Sequence, residues 1–596
     1  MTLDFHEIPY IEGHSLDMNE NSADVVVLNT CFPISEIYNT STIEKEIQDE
    51  LVAKITVLIQ ALFKSLKNGG LFFVYGIPRY LALYGDCLNH VADETSKMIF
   101  KNWIVVDIND APRQDTLQPS HVGLLMYLKT VQGKLTSSFH LNTKDVRIPY
   151  NTCACCGQNT RDWGGKKHLI NPLGACVSDV WRDLSRIPLK DHVIPEPVLQ
   201  RIFDITKKDP IDEFSFVIVK EVECLVKNAF STRNASNARK KDAGSDAIAA
   251  NEPVLQRNVV INEDCMKLLE RVMQDHPRGA FDFVFADPPY NLAKQYSNYE
   301  DEIADREYLA WCDSWLEACC EALRPGGALL VLNLPKWAIY HAKFLMQRME
   351  FRHWIAWDAL SSPAGKIMPA HYALLYFTKP GGSITFNYTS REPGDMLSPI
   401  DADRYCLRPK CIKERKARAI DEKVDMTDVW WDIHRLKHKK DRDFHPCQLP
   451  LELMHRIINM TTNRGDLVFD PFSGAGTTAV SAKMFGRDFI VTDVDKEYVD
   501  ITNANLGKII EENGVKYLKR ESIKKQRIVI PRKAIETEYF QLCAERNELI
   551  MQDSLEILRP KLADAICQYY PSFKTLVKRA RRNIEMHGRE GLVLKP

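Results

Sequence analysis

The sequence predicts an α/β fold made of tandem modules with doubly wound sheets, followed by a C-terminal helical region. Three observations lead to this prediction. Apolar runs of strand length alternate with helix-like segments, which is the pattern of parallel α/β sheets. One set of such segments occurs twice in the same order. A glycine-rich turn joins an apolar run to a helix-like segment, as in nucleotide-binding sheets.

The repeat is the strongest of these observations. Asp24–Pro33 (DVVVLNTCFP) matches Asp282–Asn291 (DFVFADPPYN), and each is an apolar run that ends in a turn. Four further pairs follow in the same order and at similar spacings. They are Leu66–Pro78 with Leu323–Pro335, Phe100–Asp107 with Phe351–Asp358, His121–Lys129 with His371–Lys379, and Ser178–Leu184 with Thr427–Ile433. Five ordered matches indicate a duplicated unit.

These matches divide the chain into predicted domains. Residues 1–227 form a first module and residues 257–508 a second one. Residues 228–256 between them are rich in Ser, Asn, Ala and Lys and poor in large apolar side chains, which predicts a linker. After about residue 508 the chain becomes charged and helix-favouring, so residues 509–596 are predicted to form a separate helical region.

Composition excludes several classes of protein. With 45% hydrophobic and 27% charged residues, the chain is not of the disordered or fibrous type. No apolar run reaches the roughly 18 residues that a membrane span needs, and the N-terminus lacks the features of a secretory signal. Sixteen cysteines in 596 residues do not suggest a disulfide framework. We therefore expect a cytoplasmic protein, and its net charge of -2 leaves nucleic-acid binding to local basic patches.

The glycine-rich turn lies in Asp466–Asp495 (DLVFDPFSGAGTTAVSAKMFGRDFIVTDVD), which predicts strand, turn, helix and strand. Gly474 and Gly476 allow the backbone to approach a ligand closely. Asp493 ends the second strand, where a carboxylate can accept hydrogen bonds from ribose hydroxyls. The turn lacks the Gly-Lys-Ser/Thr ending of a phosphate loop, which disfavours a triphosphate. Taken alone, it is equally consistent with a packing turn.

A second turn, Asp287-Pro288-Pro289-Tyr290, follows an apolar strand and carries a carboxylate and an aromatic ring. Open α/β sheets bind ligands at this edge. Asp287 and the Pro288 carbonyl can accept the two N–H bonds of an exocyclic amine and aim its nitrogen at a methyl donor, while Tyr290 stacks on the base. The alternative is an ordinary surface turn.

Together, DPPY followed by DPFSGAGTT resembles the β-class DNA amino-methyltransferases, in which the catalytic motif precedes the cofactor motif. The resemblance covers about residues 259–506. It implies Rossmann-like modules, S-adenosyl-L-methionine as cofactor, no metal, and methylation of adenine N6 in DNA whose target base is flipped out of the duplex. It also implies a restriction-modification context with a nuclease partner. Cytosine N4, an RNA substrate and a non-catalytic DNA-binding subunit are the alternatives.

The resemblance also assigns residues to roles. Asp264 follows the opening strand, near the expected cofactor adenine, and His445–Pro450 (HPCQLP) is similar to the family's HPxQKP. Leu449 stands where the family has lysine, so no side-chain cation is implied there. The implied catalytic residues are Asp287, Pro288, Pro289 and Tyr290. The implied cofactor-binding residues are Asp264, Cys265, Asp287, His445, Gln448, Asp470, Pro471, Phe472, Ser473, Gly474, Gly476, Thr477, Thr478 and Asp493.

The family usually has its target-recognition insertion where this chain has residues 382–442. The basic run Arg408–Lys423 is therefore predicted to contact DNA phosphates, although such a run can also be a solvated face. Trp430 or Trp431 is a candidate to stack on or wedge between bases. The partial recurrence of this pair at Trp181 favours a core role instead.

The first module has lost the catalytic motif, since Asn29-Thr30-Cys31-Phe32 stands in place of Asp287–Tyr290. No glycine-rich turn follows its Ser178–Leu184 segment either. We therefore expect the first module to bind no cofactor in the family manner. Because its scaffold residues persist, we predict that it packs against the second module as an internal pseudo-dimer partner and serves DNA binding.

Four cysteines occupy loosely corresponding places in the two modules. Cys153 and Cys156 have CxxC spacing, and Cys406 and Cys411 are spaced more widely. We expect reduced structural thiols, with a four-thiolate zinc site as the alternative.

Overall fold

The computed structural model of the protein describes a defined part of the chain, given by the following ranges. They are 6–9, 18–30, 45–109, 117–132, 139–160, 171–184, 187–188, 193–220, 254–292, 303–359, 367–387, 399–401, 403–406, 408–420, 423–433, 435–436, 448–512, 515–518, 539–540, 543, 577 and 580–581. These residues belong to two compact units, Met1–Leu506 and Gly507–Pro596. The predicted linker lies mostly outside the described residues.

The first module folds around a sheet with the order β1-β10-β2-β3-β5-β4-β8, with β9 also paired to β4. Its strands are β1 (His6–Pro9), β2 (Ala23–Asn29), β3 (Leu66–Gly76), β4 (Ser96–Asn109), β5 (His121–Val131), β8 (Val180–Trp181), β9 (Ile187–Pro188) and β10 (Phe216–Lys220), and a separate small pair is β6 (Arg147–Ile148) with β7 (Ala175–Cys176). Its helices are α1 (Lys45–Ser65), α2 (Pro78–Asn89) and α3 (Glu196–Thr206). The central strands are largely apolar and are buried along most of their length, as strands covered on both faces are.

The second module has a sheet with the order β11-β18-β17-β12-β13-β15-β14-β16. Its strands are β11 (Val259–Asn262), β12 (Phe281–Ala286), β13 (Leu323–Asn333), β14 (Glu350–Asp358), β15 (His371–Thr378), β16 (Val429–Trp430), β17 (Leu467–Asp470) and β18 (Asp488–Asp493). Its helices are α4 (Cys265–Asp275), α5 (Asp305–Ala322), α6 (Pro335–Met346), α7 (Pro409–Ala417), α8 (Leu451–Thr461), α9 (Thr477–Met484) and α10 (Lys496–Gly507). The parallel strands β12 and β17 are neighbours in the sheet. From β12 the chain continues to β13 on one side, and from β17 it continues to β18 on the other side. The boundary between β12 and β17 is therefore the topological switch point of a doubly wound, Rossmann-like sheet.

The two sheets share their order β2-β3-β5-β4-β8 and β12-β13-β15-β14-β16. Each breaks register at the same place in its antiparallel pair, between Phe100 and Asn102 in β4 and between Phe351 and His353 in β14. Each also begins a helix with a proline, in α2 and in α6, where the missing N–H is not needed. The predicted repeat of an α/β module is confirmed.

The two modules contact each other through matching positions. Trp103 of β4 stacks on Trp354 of β14, with ring centroids 3.7 Å apart and planes within 6°. Helix α2 packs against α6, where a Cβ on Gly85 would lie 3.1 Å from Ile339 Cδ1. Beside this contact, Lys343 Nζ lies 2.6 Å from Asp86 Oδ2. Equivalent elements thus face each other across the contact.

Two buried carboxylates make reciprocal contacts across the same boundary. Asp428 accepts a 2.8 Å hydrogen bond from the Ser120 backbone N–H and lies 3.0 Å from His121 Nδ1. Asp179 accepts a 2.8 Å bond from the Ala370 backbone N–H and lies 3.1 Å from His371 Nδ1. Each module therefore sends the aspartate of its Asp-Val-Trp segment to a histidine of the other.

Burial opposes ionisation of Asp428, but His121 and His353 beside it hold the pKa of this carboxyl well below its usual range. Asp428 is therefore a charged partner of the histidines at neutral pH. A charge this deep in the protein is stable only while its partners stay in place.

The C-terminal unit begins with a hairpin of β19 (Ile509–Glu512) and β20 (Val515–Leu518), which the sequence analysis did not anticipate. The Asn513-Gly514 dipeptide between these strands is a strong hairpin signal, because both residues tolerate positive φ. The described residues further along, such as Tyr539, Phe540 and Cys543, are helical. No helix in the described part of either unit is long and apolar enough to cross a membrane.

Candidate active site

The carboxyl ends of β12, β17 and β18 border a cavity of about 380 Å³, within the size range of small-molecule sites. The predicted site residues that line it are Asp264, Cys265, Asp287, Pro288, Pro289, Tyr290, Gln448, Asp470, Pro471, Phe472, Ser473, Gly474, Thr477, Thr478 and Asp493. Gly476 is not among the lining residues, and His445 lies outside the described residues. The cavity thus brings the two predicted turns together.

The turn after β12 is held in a fixed shape by its neighbours. Tyr308 donates its hydroxyl to the Pro289 carbonyl at 2.7 Å, and Trp337 donates Nε1–H to the Tyr290 carbonyl at 2.8 Å. The Tyr290 hydroxyl donates in turn to Asp287 Oδ1 at 2.6 Å. Because the Pro289 carbonyl is engaged, the Pro288 carbonyl is the backbone acceptor of this turn to consider for a ligand.

Asn333, at the end of β13, supports Tyr308 from below. Its Nδ2 lies 3.1 Å from the Tyr308 hydroxyl and 3.1 Å from His341 Nε2. Burial lowers the pKa of His341 to about 3, so its ring is neutral and Nε2 can accept from Asn333. This buried network positions the Pro289 carbonyl, and no short motif in the sequence identified it.

The glycine-rich turn places backbone against the cavity. Gly476 has φ 78°, and a Cβ there would lie 2.4 Å from Thr502 Cγ2, so glycine is required on both counts. Gly474 donates its N–H to Asp493 Oδ2 at 2.8 Å, and Asp495 donates its N–H to Oδ1 at 2.9 Å. Each Asp493 oxygen keeps a lone pair for a further donor.

Asp470 ends β17 at the base of the same turn. It accepts hydrogen bonds from the Thr478 hydroxyl at 2.5 Å and from the Phe472 N–H at 2.9 Å. Burial raises the pKa of Asp470 to about 7, with Asp493 adding to the effect and these hydrogen bonds opposing it. Burial also raises the pKa of Asp493, against the donors from Asp495 and Gly474. Because burial makes both carboxylates costly to ionise, a ligand that brings a positive charge and hydroxyl donors would stabilise their charged forms.

The opposite wall comes from the start of α4. Asp264 is the N-cap of that helix and accepts from the Met266 N–H at 2.8 Å, so it lines the cavity and also stabilises the helix. Burial raises the pKa of Cys265 to about 12, which makes this thiol a neutral packing group. Asn262 donates Nδ2–H to the carbonyls of Asp493 and Val494, and so ties β11 to the end of β18.

Several lining residues were missed by the sequence analysis. Tyr308 and Trp311 come from α5, and the Trp311 ring lies 5.6 Å from that of Phe472. Val494 is 60% exposed yet lines the cavity directly after Asp493, and Tyr498 follows in α10. The position of Val494 directly after Asp493, the predicted ribose-binding carboxylate, is a sequence signal that could have identified it as a lining residue.

Among the residues that the structure describes around this cavity, none is a lysine or an arginine. Leu449 is part of the lining, at the position where the family resemblance expects a lysine. A carboxylate group of a ligand would therefore meet backbone N–H groups, such as those at the start of α9.

The predicted DNA-contact residues divide into two groups. Trp430 is 1% and Trp431 8% exposed, so both rings lie in the core, as the partial recurrence at Trp181 indicated, and neither presents a face to a base. In the basic run, Arg415 is fully buried and donates to the Cys406 carbonyl at 3.1 Å. The basic side chains of its helix that remain exposed are Lys410, Lys413 and Lys416.

In the first module, the position equivalent to Asp287 is buried. Asn29 is 8% exposed, and Thr30 is buried with its hydroxyl donating to the Tyr75 carbonyl at 2.9 Å. Strand β10 occupies the place next to β2 that β17 has next to β12, and the residues after it lie outside the described part. Cys31 and Phe32 also lie outside it.

Comparison with known proteins bears directly on this site. The DNA methylase family matches residues 281–504, which contain both turns. Type II methyltransferase M.HpaI of Haemophilus parainfluenzae is 30% identical over 243 residues, which cover 40% of this chain and 71% of that protein. The chain belongs to the DNA methylase family. The predicted resemblance is confirmed.

Other members of this family match over a similar span. Type II methyltransferase M.BamHI of Bacillus amyloliquefaciens is 34% identical over 279 residues, so the chain spans 63% of its length, and the match uses 44% of this chain. Among solved structures, the M1.HpyAVI–SAM complex aligns at 19% identity with a TM-score of 0.30, covering 41% of this chain and 97% of that chain. The family assignment rests on the sequence relatives.

Proposed function

We propose that this protein is a site-specific DNA methyltransferase that transfers a methyl group from S-adenosyl-L-methionine to the N6 amine of adenine. The observation that carries the proposal is the single cavity in which Asp287–Tyr290 and the glycine-rich turn face each other. An amine held at the first turn and a methyl donor held at the second would lie within the same cavity. Membership of the DNA methylase family supports the same conclusion.

The donor set of the cavity fits this cofactor. Asp493 has lone pairs for two ribose hydroxyls, and Val494 offers an apolar contact for an adenine ring. Asp470, whose pKa burial raises to about 7, favours a positively charged group nearby. The lack of basic residues in the described lining disfavours a polyphosphate instead. When bound, the cofactor supplies a methyl group on a sulfonium.

The residues of the chain would act mainly by positioning. Asp287 and the Pro288 carbonyl would accept the two N–H bonds of the amine and draw electron density onto its nitrogen, while the network through Tyr308 keeps the turn rigid. The Tyr290 hydroxyl engages Asp287 Oδ1, so the amine would use the other oxygen or displace this contact. A base within a duplex must be flipped out to reach this point.

Adenine is proposed over cytosine because Asp287, and not serine, precedes the two prolines, a point of family resemblance. Sequencing with modified-base detection of DNA from cells that express the protein tests this choice, with Asp287→Ala as the control. We expect N6-methyladenine at one recognition sequence and none with the variant. Detection of N4-methylcytosine would show that cytosine, and not adenine, is the target base. Methylation confined to RNA would show that RNA is the substrate. Cofactor binding without methylation would indicate a non-catalytic DNA-binding subunit.

We further propose that the first module, residues 1–227, is an internal pseudo-dimer partner that contributes to DNA binding. Its reciprocal contacts through Asp179 and Asp428 support a former homodimer joined by duplication. Residues 228–256 would be the linker, 257–508 the catalytic domain with a recognition insertion at 382–442, and 509–596 an appendage. A cognate restriction nuclease would recognise the same unmethylated sequence.

Deletion tests the role of the first module. A fragment of residues 257–596 should lose solubility or most of its DNA affinity, because the apolar face around Trp354 and Ile339 becomes exposed. Rebuilding the motif with Asn29→Asp, Thr30→Pro, Cys31→Pro and Phe32→Tyr should create no second active site. A fragment that stays soluble, monomeric and fully active would contradict the pseudo-dimer proposal.

A further inference from the structure

Four cysteines that are far apart in the sequence converge on one point of the fold. Cys153 and Cys156 belong to the first module, and Cys406 and Cys411 to the second. Their four Sγ atoms all lie within 4.8 Å of one another, and those of Cys156 and Cys406 are 3.9 Å apart. Zinc bound by four thiolates at about 2.3 Å requires sulfur atoms about 3.8 Å apart at the corners of a tetrahedron.

The first pair of thiols is presented by a tight turn. Cys153 donates its N–H to the Gln158 carbonyl at 2.7 Å, and Gly157 donates its N–H to the Cys153 carbonyl at 2.8 Å. Gly157 has φ 66°, in the left-handed region that favours glycine. The turn therefore brings the two sulfurs of the CxxC sequence to one side without a disulfide.

The second pair is presented by the start of α7. Cys411 lies in the first turn of this helix, after Pro409, where the helix dipole favours a negative charge. Cys406 lies in the preceding loop and donates its N–H to Cys153 Sγ at 3.3 Å, a contact that stabilises a thiolate. Cys153, Cys406 and Cys411 are at most 3% exposed.

Further contacts hold the two loops together around this point. Ala154 donates its N–H to the Arg404 carbonyl at 2.9 Å, and Asn151 Nδ2 donates to Asp403 Oδ1 at 3.1 Å. Arg408 donates to the Asn159 carbonyl at 2.9 Å while its Nη1 lies 3.9 Å from Cys156 Sγ. This guanidinium offsets part of the negative charge that four thiolates would leave around a divalent ion.

We propose that Cys153, Cys156, Cys406 and Cys411 bind one structural zinc ion that joins the two modules. The ion is separate from the methyl-transfer site and is held by a complete set of four sulfur ligands, as structural zinc sites are. It anchors α7 and its exposed lysines to the first module. Helix α7 of the second module is thereby held by Cys153 and Cys156 of the first module. The ion therefore fixes the orientation of the lysines on this helix, Lys410, Lys413 and Lys416.

Metal analysis of the full-length protein, purified without chelators, tests the proposal. We expect about one zinc per chain, retained through dialysis. Cobalt(II) loaded in its place should show the visible absorption of tetrahedral thiolate coordination. Cys156→Ser is the main variant because Cys156 is exposed, so its replacement removes a ligand at little packing cost. It should lower the bound zinc to well under half an ion per chain.

Cys155→Ser and Cys176→Ser are the matched controls. Cys155 lies in the same turn and packs against the group of four without belonging to it, so it controls for a disturbance of the site that removes no ligand. Cys176 is an exposed thiol elsewhere in the first module. Both should keep one zinc per chain. A wild-type protein without zinc that takes up no cobalt would overturn the proposal. So would mass and thiol titration that reveal disulfides among the four, or an equal loss of zinc in the Cys155→Ser control.

Discussion

The two modules have one scaffold and unequal chemistry. They share five strands in the same order and the register shift in β4 and β14, and they contribute equivalent aspartates to their contact. They differ where strands end. Asp287 follows β12 and lines the cavity, whereas Asn29 ends β2 in a buried position. The glycine-rich turn at Gly474 has no counterpart among the described residues of the first module.

This difference shows that the residues that make the fold and those that make the site are largely separate. Packing positions such as Trp103 and Trp354 remain in both modules because each completes the core of the other. Strand-end residues carry little of the packing, so the first module could lose its carboxylate without losing its fold. Variants placed at equivalent positions of the two modules can test this separation.

The largest effect is expected at the shared contact. Asp428→Asn and Asp179→Asn should each lower the free energy of unfolding by about 3–5 kcal/mol, because each leaves a buried histidine without its carboxyl partner. Chemical denaturation measures this. Asp500→Asn, which alters an exposed pair with Lys496, should cost under about 0.5 kcal/mol. If only one of the two variants lost much stability, the two sides of the contact would not be energetically equivalent.

The same contact predicts a dependence on pH. Since the pKa of Asp428 is lowered in the folded state, its contribution is fully present above about pH 4, the usual value of an unfolded aspartate. It is lost as the pH falls further, through the folded pKa. The stability difference between the wild type and Asp428→Asn should therefore narrow below pH 4, and a difference that grows there would have the wrong sign.

The next largest effect separates the two strand ends. Asp287→Ala should slow methyl transfer by about 10²–10³-fold, corresponding to about 2.7–4 kcal/mol. Cofactor binding should stay largely intact, because the proposed main partner of Asp287 is the target amine, although the residue also lines the cofactor cavity. Asn29→Ala at the equivalent position of the first module should leave the rate unchanged. Single-turnover rates and calorimetry measure the two quantities. A near-normal rate with Asp287→Ala would remove this residue from the catalytic role.

A smaller effect is expected at the end of β18. Asp493→Ala should weaken S-adenosyl-L-methionine binding by about 1.5–3 kcal/mol, the value of hydrogen bonds to a charged group. Asp488→Ala at the start of the same strand removes a half-buried partner of Arg257 and Asn258, away from the cavity lining, and should leave the dissociation constant unchanged. Equal dissociation constants for wild type and Asp493→Ala by calorimetry would mean that the ribose lies elsewhere.

The smallest effect concerns Asp470, whose pKa is raised to about 7. As the pH rises from 6 to 8, this carboxyl ionises and should strengthen binding of the positively charged cofactor by less than about tenfold. In the absence of cofactor, the same raised pKa lowers the stability of the fold as the pH rises from about 4 towards 7. Asp470→Asn should remove both the pH dependence of cofactor binding and the pH dependence of stability. If the variant kept the pH dependence of binding, that dependence would belong to another titrating group.

The sequence was sufficient for features that lie in contiguous motifs. Asp287, Gly474 and Asp493 were identifiable because a strand end and its turn occupy neighbouring positions in the chain. The supporting residues Tyr308 and Asn333 were not, since they reach the site from α5 and β13 and have no local signature. Their roles depend on tertiary packing alone.

Spacing along the chain was a poor guide for two features, the basic run and the four cysteines. A basic run predicts an exposed face, but Arg415 within it is buried by its contact with the Cys406 carbonyl and by the Tyr405 ring. The convergence of Cys153 and Cys406 depends on how the two modules face each other, which composition and periodicity do not encode. Positions that bridge the modules were therefore the least predictable part of the fold.

The ion pair between Lys343 and Asp86 has a consequence for the history of the chain. Each residue lies eight positions after the proline that begins its helix, so the two occupy the same place in their modules. If either module paired with a copy of itself, two ammonium groups or two carboxylates would face each other, and like charges repel. Once fused, the copies were free to acquire opposite charges here. Separated into two chains, they should prefer each other to themselves, a preference for unlike partners that no symmetric ancestor could have possessed.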